Sequence, residues 1–439
     1  MSKRLLLLML AVVLGVSVFA VACGGGTAST TTTAGGTTET TAPATTTTAG
    51  GGGTTTTAGG AATGTPIKFG FDEGFTGFMS YDCQMADQGV KTALAMLNNQ
   101  WQGHPLEYLP EDNGSDANAA VDKARKLVEQ DKINVMIGPI FSPSAKAVAD
   151  YLGKSSGIPE ISIVGQPSEN LLTANGLAFI HTGFFDSHGY YFGKFLADKG
   201  YKTANVINYE DTPAHALTAG FKKAFVDEGG GQVLSENYVD VSTVDFSSYL
   251  TTMKPADVTV FWIFGNGAVP FVKQYHDYGL KAPLAAPMSN NFTDEQLGEL
   301  GDQALGMLAC DYYAYTLDNP ANKEFVAAYQ KLYPGQNPPP QAYGAWQGVM
   351  LYLAGLEADG GDTTPAKVIP AMSNLSFDSP AGHVTIVPYQ NASIAKDQTA
   401  YIAKRDFFIL EVQKVGNVLT WVPVKTYSGV LLGTVSDMP

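Results

Sequence analysis

Few residue patterns in this 439-residue chain could carry covalent chemistry, and each fails on its surroundings. Gly153-Lys154-Ser155-Ser156-Gly157 satisfies G-x-S-x-G, but a nucleophile elbow needs a strand before its serine and a helix after it. Here a helical pattern precedes and a strand-like pattern follows, so the segment is expected to end a helix. Gly70, Gly74 and Gly77 lack the G-x-G-x-x-G spacing that lets a backbone approach a dinucleotide. His181, Asp186 and His188 carry metal-ligating atoms at close spacing. They fall between two folding units, where polar side chains bond backbone, and no metal is expected. No H-E-x-x-H or P-loop pattern occurs. The expectation is a protein without a chemical step and without a cofactor.

Recognition is better supported. Ser142 and Ser144 stand between a strand-like run and a helical one. Backbone N–H groups at a helix start attract anions and carbonyl oxygens, although either serine can instead serve only as a cap. Aromatic residues gather at similar positions: Phe75, Phe78 and Tyr81 after the first strand, Phe141 just before Ser142, and Trp262 and Phe264 ending a later strand. Pockets for small organic ligands are mostly apolar with a few placed polar groups. The competing reading of Trp262 and Phe264 is ordinary strand core.

The elements that must position these residues alternate. Ile67–Phe71 reads as a strand, Gln84–Asn99 as a helix, Leu106–Leu109 as a strand and Ser115–Asp131 as a helix. Val135–Gly138, Ser144–Leu152 and Glu160–Val164 repeat the rhythm. It restarts after His181 with His188–Lys199, Thr203–Asn208, His215–Glu228, Val233–Tyr238, Phe246–Met253, Val258–Phe264 and Val269–Tyr278. Glu324–Tyr333 and Ala342–Ala358 read as helices. The tail has strand-like runs without helices between them, at Val384–Val387, Ala400–Lys404 and Phe407–Val412. Such alternation implies α/β architecture with doubly wound parallel sheets. Two lobes of this kind would face each other across a hinged cleft with ligands at the strands' carboxyl ends.

Composition narrows the partners. Lys+Arg is 26 and Asp+Glu 41, a net charge of −15, and no basic stripe exists to neutralise phosphates. Nucleic acid is therefore excluded as a partner. Residues 1–22 read as a signal peptide: Lys3 and Arg4, an apolar run from Leu5 to Ala20, then Ala22 before Cys23. Residues 24–65 hold no large apolar side chain and cannot build a core. As a flexible coil this tether reaches about 35–40 Å. The folding part is then residues 66–439. Cys83 and Cys310 remain, and the sequence leaves open a disulfide or two buried thiols.

Several stretches resemble type I periplasmic binding proteins, in the group of leucine/isoleucine/valine, amide and urea receptors. Ile67-Lys68-Phe69-Gly70 with Phe75-Thr76-Gly77 is similar to the family's first strand and its S/T-G loop. Gly138-Pro139-Ile140-Phe141-Ser142-Pro143-Ser144 resembles its G-P-x-x-S loop, and Ile158-Pro159 with Ile161-Ser162 its I-P-x-I-S strand. Ser379-Pro380-Ala381-Gly382-His383-Val384 with Tyr401-Ile402 resembles the C-terminal crossing of the amide and urea branch. Ala20-Val21-Ala22-Cys23 resembles a bacterial lipobox, with Ala20 in place of the usual leucine.

The resemblance implies two Rossmann-like lobes joined by a three-strand hinge, with residues 66–185 and 314–378 in the first lobe and 186–313 and 379–439 in the second. It implies lipidation at Cys23, a membrane contact through that anchor alone, and an extracytoplasmic monomer. It would deliver a small organic ligand to the permease subunits of an ABC importer; the alternative is a sensor that signals through its closed form. The ligand's carboxylate or amide oxygen would meet Ser142 and Ser144, with Gly165, Gln166 and Ser168 on a second contact loop. Tyr209 and Phe264 are the second-lobe candidates. Met288 stands about where amino-acid binders of the family place an acid, and a buried ammonium without one is costly. The ligand is then an aromatic or aliphatic acid, an amide or a urea, unless Glu210 or Asp211 supplies the missing charge to an amino acid.

Overall fold

One strand order is built twice. The computed structural model describes residues 62–167, 176–390 and 399–437, so Cys23, Ser168 and the signal segment lie outside the described residues. In the first lobe, β1 (Ile67–Glu73) lies between β3 (His104–Asp112) and β4 (Val135–Ile137), and β5 (Glu160–Ile161) and β6 (Ala178–Ile180) continue outward, all parallel. The short β2 (Gln100–Trp101) is the hairpin partner of β3. In the second lobe, β7 (Thr203–Tyr209) lies between β8 (Gln232–Val239) and β9 (Val258–Trp262), followed by β10 (Leu284–Ala286) and β11 (Leu308–Asp311), again all parallel. The inner strands β4, β9, β10 and β11 are buried throughout, as a helix-covered parallel sheet requires, whereas the outer strands β3 and β8 are only part-buried.

Helices follow their strands closely. The principal ones are α1 (Ser80–Met96), α2 (Ala117–Lys126), α3 (Ser142–Ser155), α4 (Phe185–Asp198), α5 (Thr212–Lys222), α6 (Ser247–Leu250), α7 (Ala268–Asp277), α8 (Asp294–Leu300), α9 (Pro320–Leu332), α10 (Pro340–Asp359) and α11 (Pro365–Met372). The pattern that predicts a helix over Phe246–Met253 yields only the single turn of α6. Ser155 closes the last turn of α3 and donates its hydroxyl to Tyr151 O at 2.6 Å, a helix end with no elbow geometry.

Three segments cross between the lobes: the one after β6, the one after β11, and β14 (Ala400–Val415). β14 pairs with β6 at Tyr401 and Ile402 and with β11 from Phe408 to Glu411, so one strand belongs to both sheets. The sequence breaks this strand at Arg405-Asp406, where two charges interrupt the apolar run; the fold keeps it continuous by burying Arg405 completely. A further strand, β15 (Val418–Leu431), pairs along β14 and has no counterpart in the sequence reading. β12 (Ser376–Ser379) and β13 (Gly382–Tyr389) add to the front half of β14, and Tyr389 packs with Ala178, Ile180 and Phe184. The lobe boundary expected at residue 379 is therefore displaced: the chain stays with the first sheet until about Arg405.

The tether boundary also shifts. Gly64 N–H donates to Gly103 O at 2.9 Å, and His104 Nδ1 meets Thr65 O at 2.8 Å, so the β2–β3 hairpin holds the chain from Gly64 onward. Cys83 and Cys310 are two buried free thiols. Cys83 Sγ donates to Glu73 at 3.2 Å and Cys310 Sγ to Pro287 O at 3.0 Å. Among the described residues, no helix is long and apolar enough to cross a membrane.

Glycines set the approach of α4 and α5. A Cβ on Gly189 would lie 1.9 Å from Leu217 O, and one on Gly220 would lie 1.9 Å from Asp186 O. Gly298, exposed on α8, meets nothing within 4 Å. Gly189→Ala should therefore force the helices apart and cost about 2 kcal/mol or more, while Gly298→Ala should gain about 0.5–1 kcal/mol through helix propensity. Urea denaturation of the two variants checks the opposite signs.

Candidate functional site

The candidate side chains sit on loops leaving the carboxyl ends of strands in both lobes. β4 leads through Gly138–Phe141 into α3. Phe141 has extended backbone and Pro143 stands in the first turn, a position where its missing N–H costs nothing. Ala145, Val148, Ala149 and Leu152 recur at helical spacing and are all buried, which fixes α3 and aims its start at the cleft side of the sheet. Ser142 and Ser144 are both buried in that first turn. The Ser144 hydroxyl has no hydrogen-bond partner among the described residues. Leaving a buried hydroxyl unmade costs about 1–3 kcal/mol, a debt that a ligand oxygen can cancel.

On the first-lobe side, Phe141 meets Phe78 edge-on with ring centroids 5.1 Å apart, and Phe75 packs on Phe71 at 5.9 Å. Phe78 is 65 % exposed. Tyr81 is half-exposed and lies near Asp294 and Glu295 at the start of α8, and burial pushes its hydroxyl up to about 12.

Gly165 joins this group to the second lobe. A Cβ there would come within 3.0 Å of the rings of Phe185 and His188. Phe185 packs on Trp262 at 6.1 Å, Trp262 on Phe264 at 5.4 Å, and Phe264 stands edge-on to Tyr209 at 5.2 Å. An aromatic path thus runs from Gly165 to Tyr209. Phe185 escapes the sequence reading; its signal was the Phe184-Phe185 pair at the start of a helix next to Asp186. Trp262 is 6 % exposed and belongs to both readings, with its backbone in the core and its indole donating to Asp211 Oδ2 at 3.3 Å.

Met288 is fully buried beside Pro287 and Ser289. The fallback acids are engaged elsewhere. Glu210 pairs with His215 at 2.7 Å, and Asp211 caps α5 by accepting from Ala214 N at 2.6 Å. Burial pushes Asp211 up to about 6. Outside the set, a groove of about 510 Å³ lies between α7 and α8 beside Gly265 and Asn266. The Lys273–Glu299 ion pair spans residues lining this groove. His188 Nε2 meets Thr182 O at 2.9 Å. Among the described residues no three His, Cys, Asp or Glu side chains gather to hold a metal.

Comparison with known proteins bears on the fold and the family. The family described as periplasmic binding protein matches residues 66–414. The Leu/Ile/Val-binding protein homolog 6 of Brucella melitensis biotype 1 is 27 % identical over 359 residues, 79 % of this chain and 90 % of that protein. A solute-binding protein of an ABC transporter from Rhodopseudomonas palustris BisB5, solved with 3,4-dihydroxybenzoic acid, superposes with a TM-score of 0.74 at 24 % identity, covering 83 % of this chain and 98 % of that one. The leucine-binding protein LivK of Thermotoga maritima superposes with a TM-score of 0.70 at 18 % identity, covering 82 % and 99 %.

The buried titratable groups make stability depend on pH. Desolvation pushes Asp72 and Glu73 up to about 8 and Asp311 up to about 7. The folded chain holds these protons after the unfolded chain has released them, so stability falls as pH rises from about 4.5 to about 8. Desolvation pushes His181 down to about 3 and His188 down to about 4. For these two, stability is lost as pH falls below about 6.5. Above pH 7 only the carboxyl effect remains. Asp72 has one oxygen bonded by Asn113 and one without a partner. Asp72→Asn should flatten the fall in unfolding free energy between about pH 7 and 8, where one such group contributes up to about 1.4 kcal/mol per pH unit. Denaturant titrations at the two pH values read the difference.

Proposed function

The chain belongs to the type I periplasmic binding protein family, in its branched-chain group, and we propose that it is the extracytoplasmic solute-binding protein of an ABC transporter, which captures a small organic acid or amide by lobe closure and delivers it to the permease. The observation that carries this reading is the buried, unpartnered Ser144 hydroxyl at the start of α3, flanked by Phe141 and Phe78. A helix start with a serine hydroxyl suits a carboxylate or carbonyl oxygen. The ring-lined path through Trp262 and Phe264 to Tyr209 suits a flat apolar body. An α-amino acid would bring an ammonium to a wall where Met288 is buried and Glu210 and Asp211 already have partners. An aromatic acid such as the one bound by the Rhodopseudomonas protein meets no such cost.

Thermal-shift measurements with benzoate, 3,4-dihydroxybenzoate, benzamide and leucine test the class. At a hundredfold excess over Kd a true ligand stabilises the fold by about 2.7 kcal/mol. Benzoate or its relatives should give a shift of that size, and leucine should not; a large shift with leucine sinks the argument. Replacing both Ser142 and Ser144 by alanine should weaken the acid by about tenfold or more while leaving the unfolding temperature of the free protein within a few degrees. Unchanged affinity removes the two serines from the site.

On the same reading the protein is held at the membrane through a lipid on Cys23, with residues 24–63 as spacer. Cys23→Ser should move the protein from the membrane fraction to the soluble one. Retention at the membrane would falsify the anchor.

A further inference from the structure

β1 ends in a buried acid that has no cationic partner. Glu73 is fully buried, and among the described residues no lysine or arginine pairs with it. An apolar side chain would be cheaper at such a place, so the donors around it are informative. Ile140 N–H donates to both carboxyl oxygens, at 3.0 and 3.1 Å, and Cys83 Sγ donates at 3.2 Å. Gly138 makes room for this arrangement: a Cβ there would lie 2.1 Å from Glu73 Oε1, and its φ of +84° is a glycine conformation. The other end of the same residue is held too, because Gln166 Nε2 donates to Ile140 O at 3.3 Å. Gln166 is in turn fixed by its backbone, its N–H donating to Gly183 O and its carbonyl accepting from Phe185 N.

Ile140 lies two residues before Ser142. We propose that Glu73 is a positioning residue for ligand capture, which together with Gln166 clamps the Ile140 residue and so sets where the start of α3 presents Phe141, Ser142 and Ser144. The proposal rests on the reading that this helix start receives the ligand's oxygen. Gln166 then has a second role beside any contact of its own: it ties the two first-lobe contact loops to one another and to the crossing segment at Gly183–Phe185.

Two variants separate positioning from packing. Glu73→Met fills the space without an acceptor, and Glu73→Gln keeps one acceptor for the Ile140 N–H. Hydrogen exchange of the ligand-free protein, followed by mass spectrometry on the peptide 138–145, reads the clamp directly. That peptide should exchange about tenfold faster or more in Glu73→Met, as expected for losing a hydrogen bond to an acidic group, and within about threefold of the unaltered protein in Glu73→Gln. Exchange in β1 and β4 should not change. Affinity for benzoate should fall in parallel, about tenfold in the methionine variant, and recover with glutamine. Unchanged exchange in Glu73→Met overturns the clamp, as does an equal loss in both variants. If Glu73→Met does not fold, Gln166→Met opens the other jaw and is read by the same peptide. If benzoate does not bind the unaltered protein, the ligand reading fails alone and the exchange result still decides the clamp.

Discussion

The Arg405 guanidinium is buried where three chain segments pass from one sheet to the other, and it touches all three. It sits within β14 itself, donates to His181 O after β6 at 3.0 Å and to Tyr312 O after β11 at 2.8 Å. The Tyr343 hydroxyl of α10 accepts at 3.0 Å, and the rings of Tyr312 and Tyr343 lie 5.5 and 5.4 Å from the charge. A cation in this setting is tolerable only because carbonyls, a phenol and two ring faces replace its water. The neighbouring His181 and His188 are kept neutral by burial and by this same charge. The guanidinium thereby ties the three crossing segments together at one point.

What the hinge joins is asymmetric. The first lobe contributes a buried serine hydroxyl and the rings of Phe75, Phe78 and Phe141, at the start of α3 and the loop after β1. The second lobe contributes a run of tilted and edge-on rings from Phe185 to Tyr209, with Asp211 already capping α5. Polar groups gather on one side and apolar rings on the other, the mix that pockets for small organic ligands use. The glycines matter here as absences of bulk: Gly165 lets Phe185 and His188 approach, and Gly138 leaves the space the Glu73 carboxyl occupies.

Much of the scaffold could be read from the chain. The alternation from Ile67 to Tyr278 marks strands and helices because the inner strands are apolar and buried and the helices bury residues at helical spacing. The loops at 138–144 and 165–166 were legible because glycine, proline and serine there do jobs that few other residues can. Three things were hidden. Arg405-Asp406 reads as a break, since nothing local reveals that two distant carbonyls will solvate the guanidinium. β15 carries Pro423 and exposed valines and lacks the signature of a buried strand, because its register comes from β14 and not from its own pattern. Glu73 looks like a surface acid at a strand end; its burial depends on Ile140, a residue far along the chain. Local periodicity records local burial, whereas Arg405 and Glu73 depend on contacts between distant segments and β15 on the register of the strand before it.

The sharing of β14 has a consequence for how the chain is made. β6 and β11 lie at the inner margins of their sheets, and both are synthesised well before Ala400–Val415 emerges. Until then each lobe can assemble its five parallel strands, yet each presents an unpaired edge, the feature that invites pairing with any extended chain nearby. The last tenth of the polypeptide therefore closes both lobes at once, and a product cut short before it would carry two adhesive margins instead of one finished molecule.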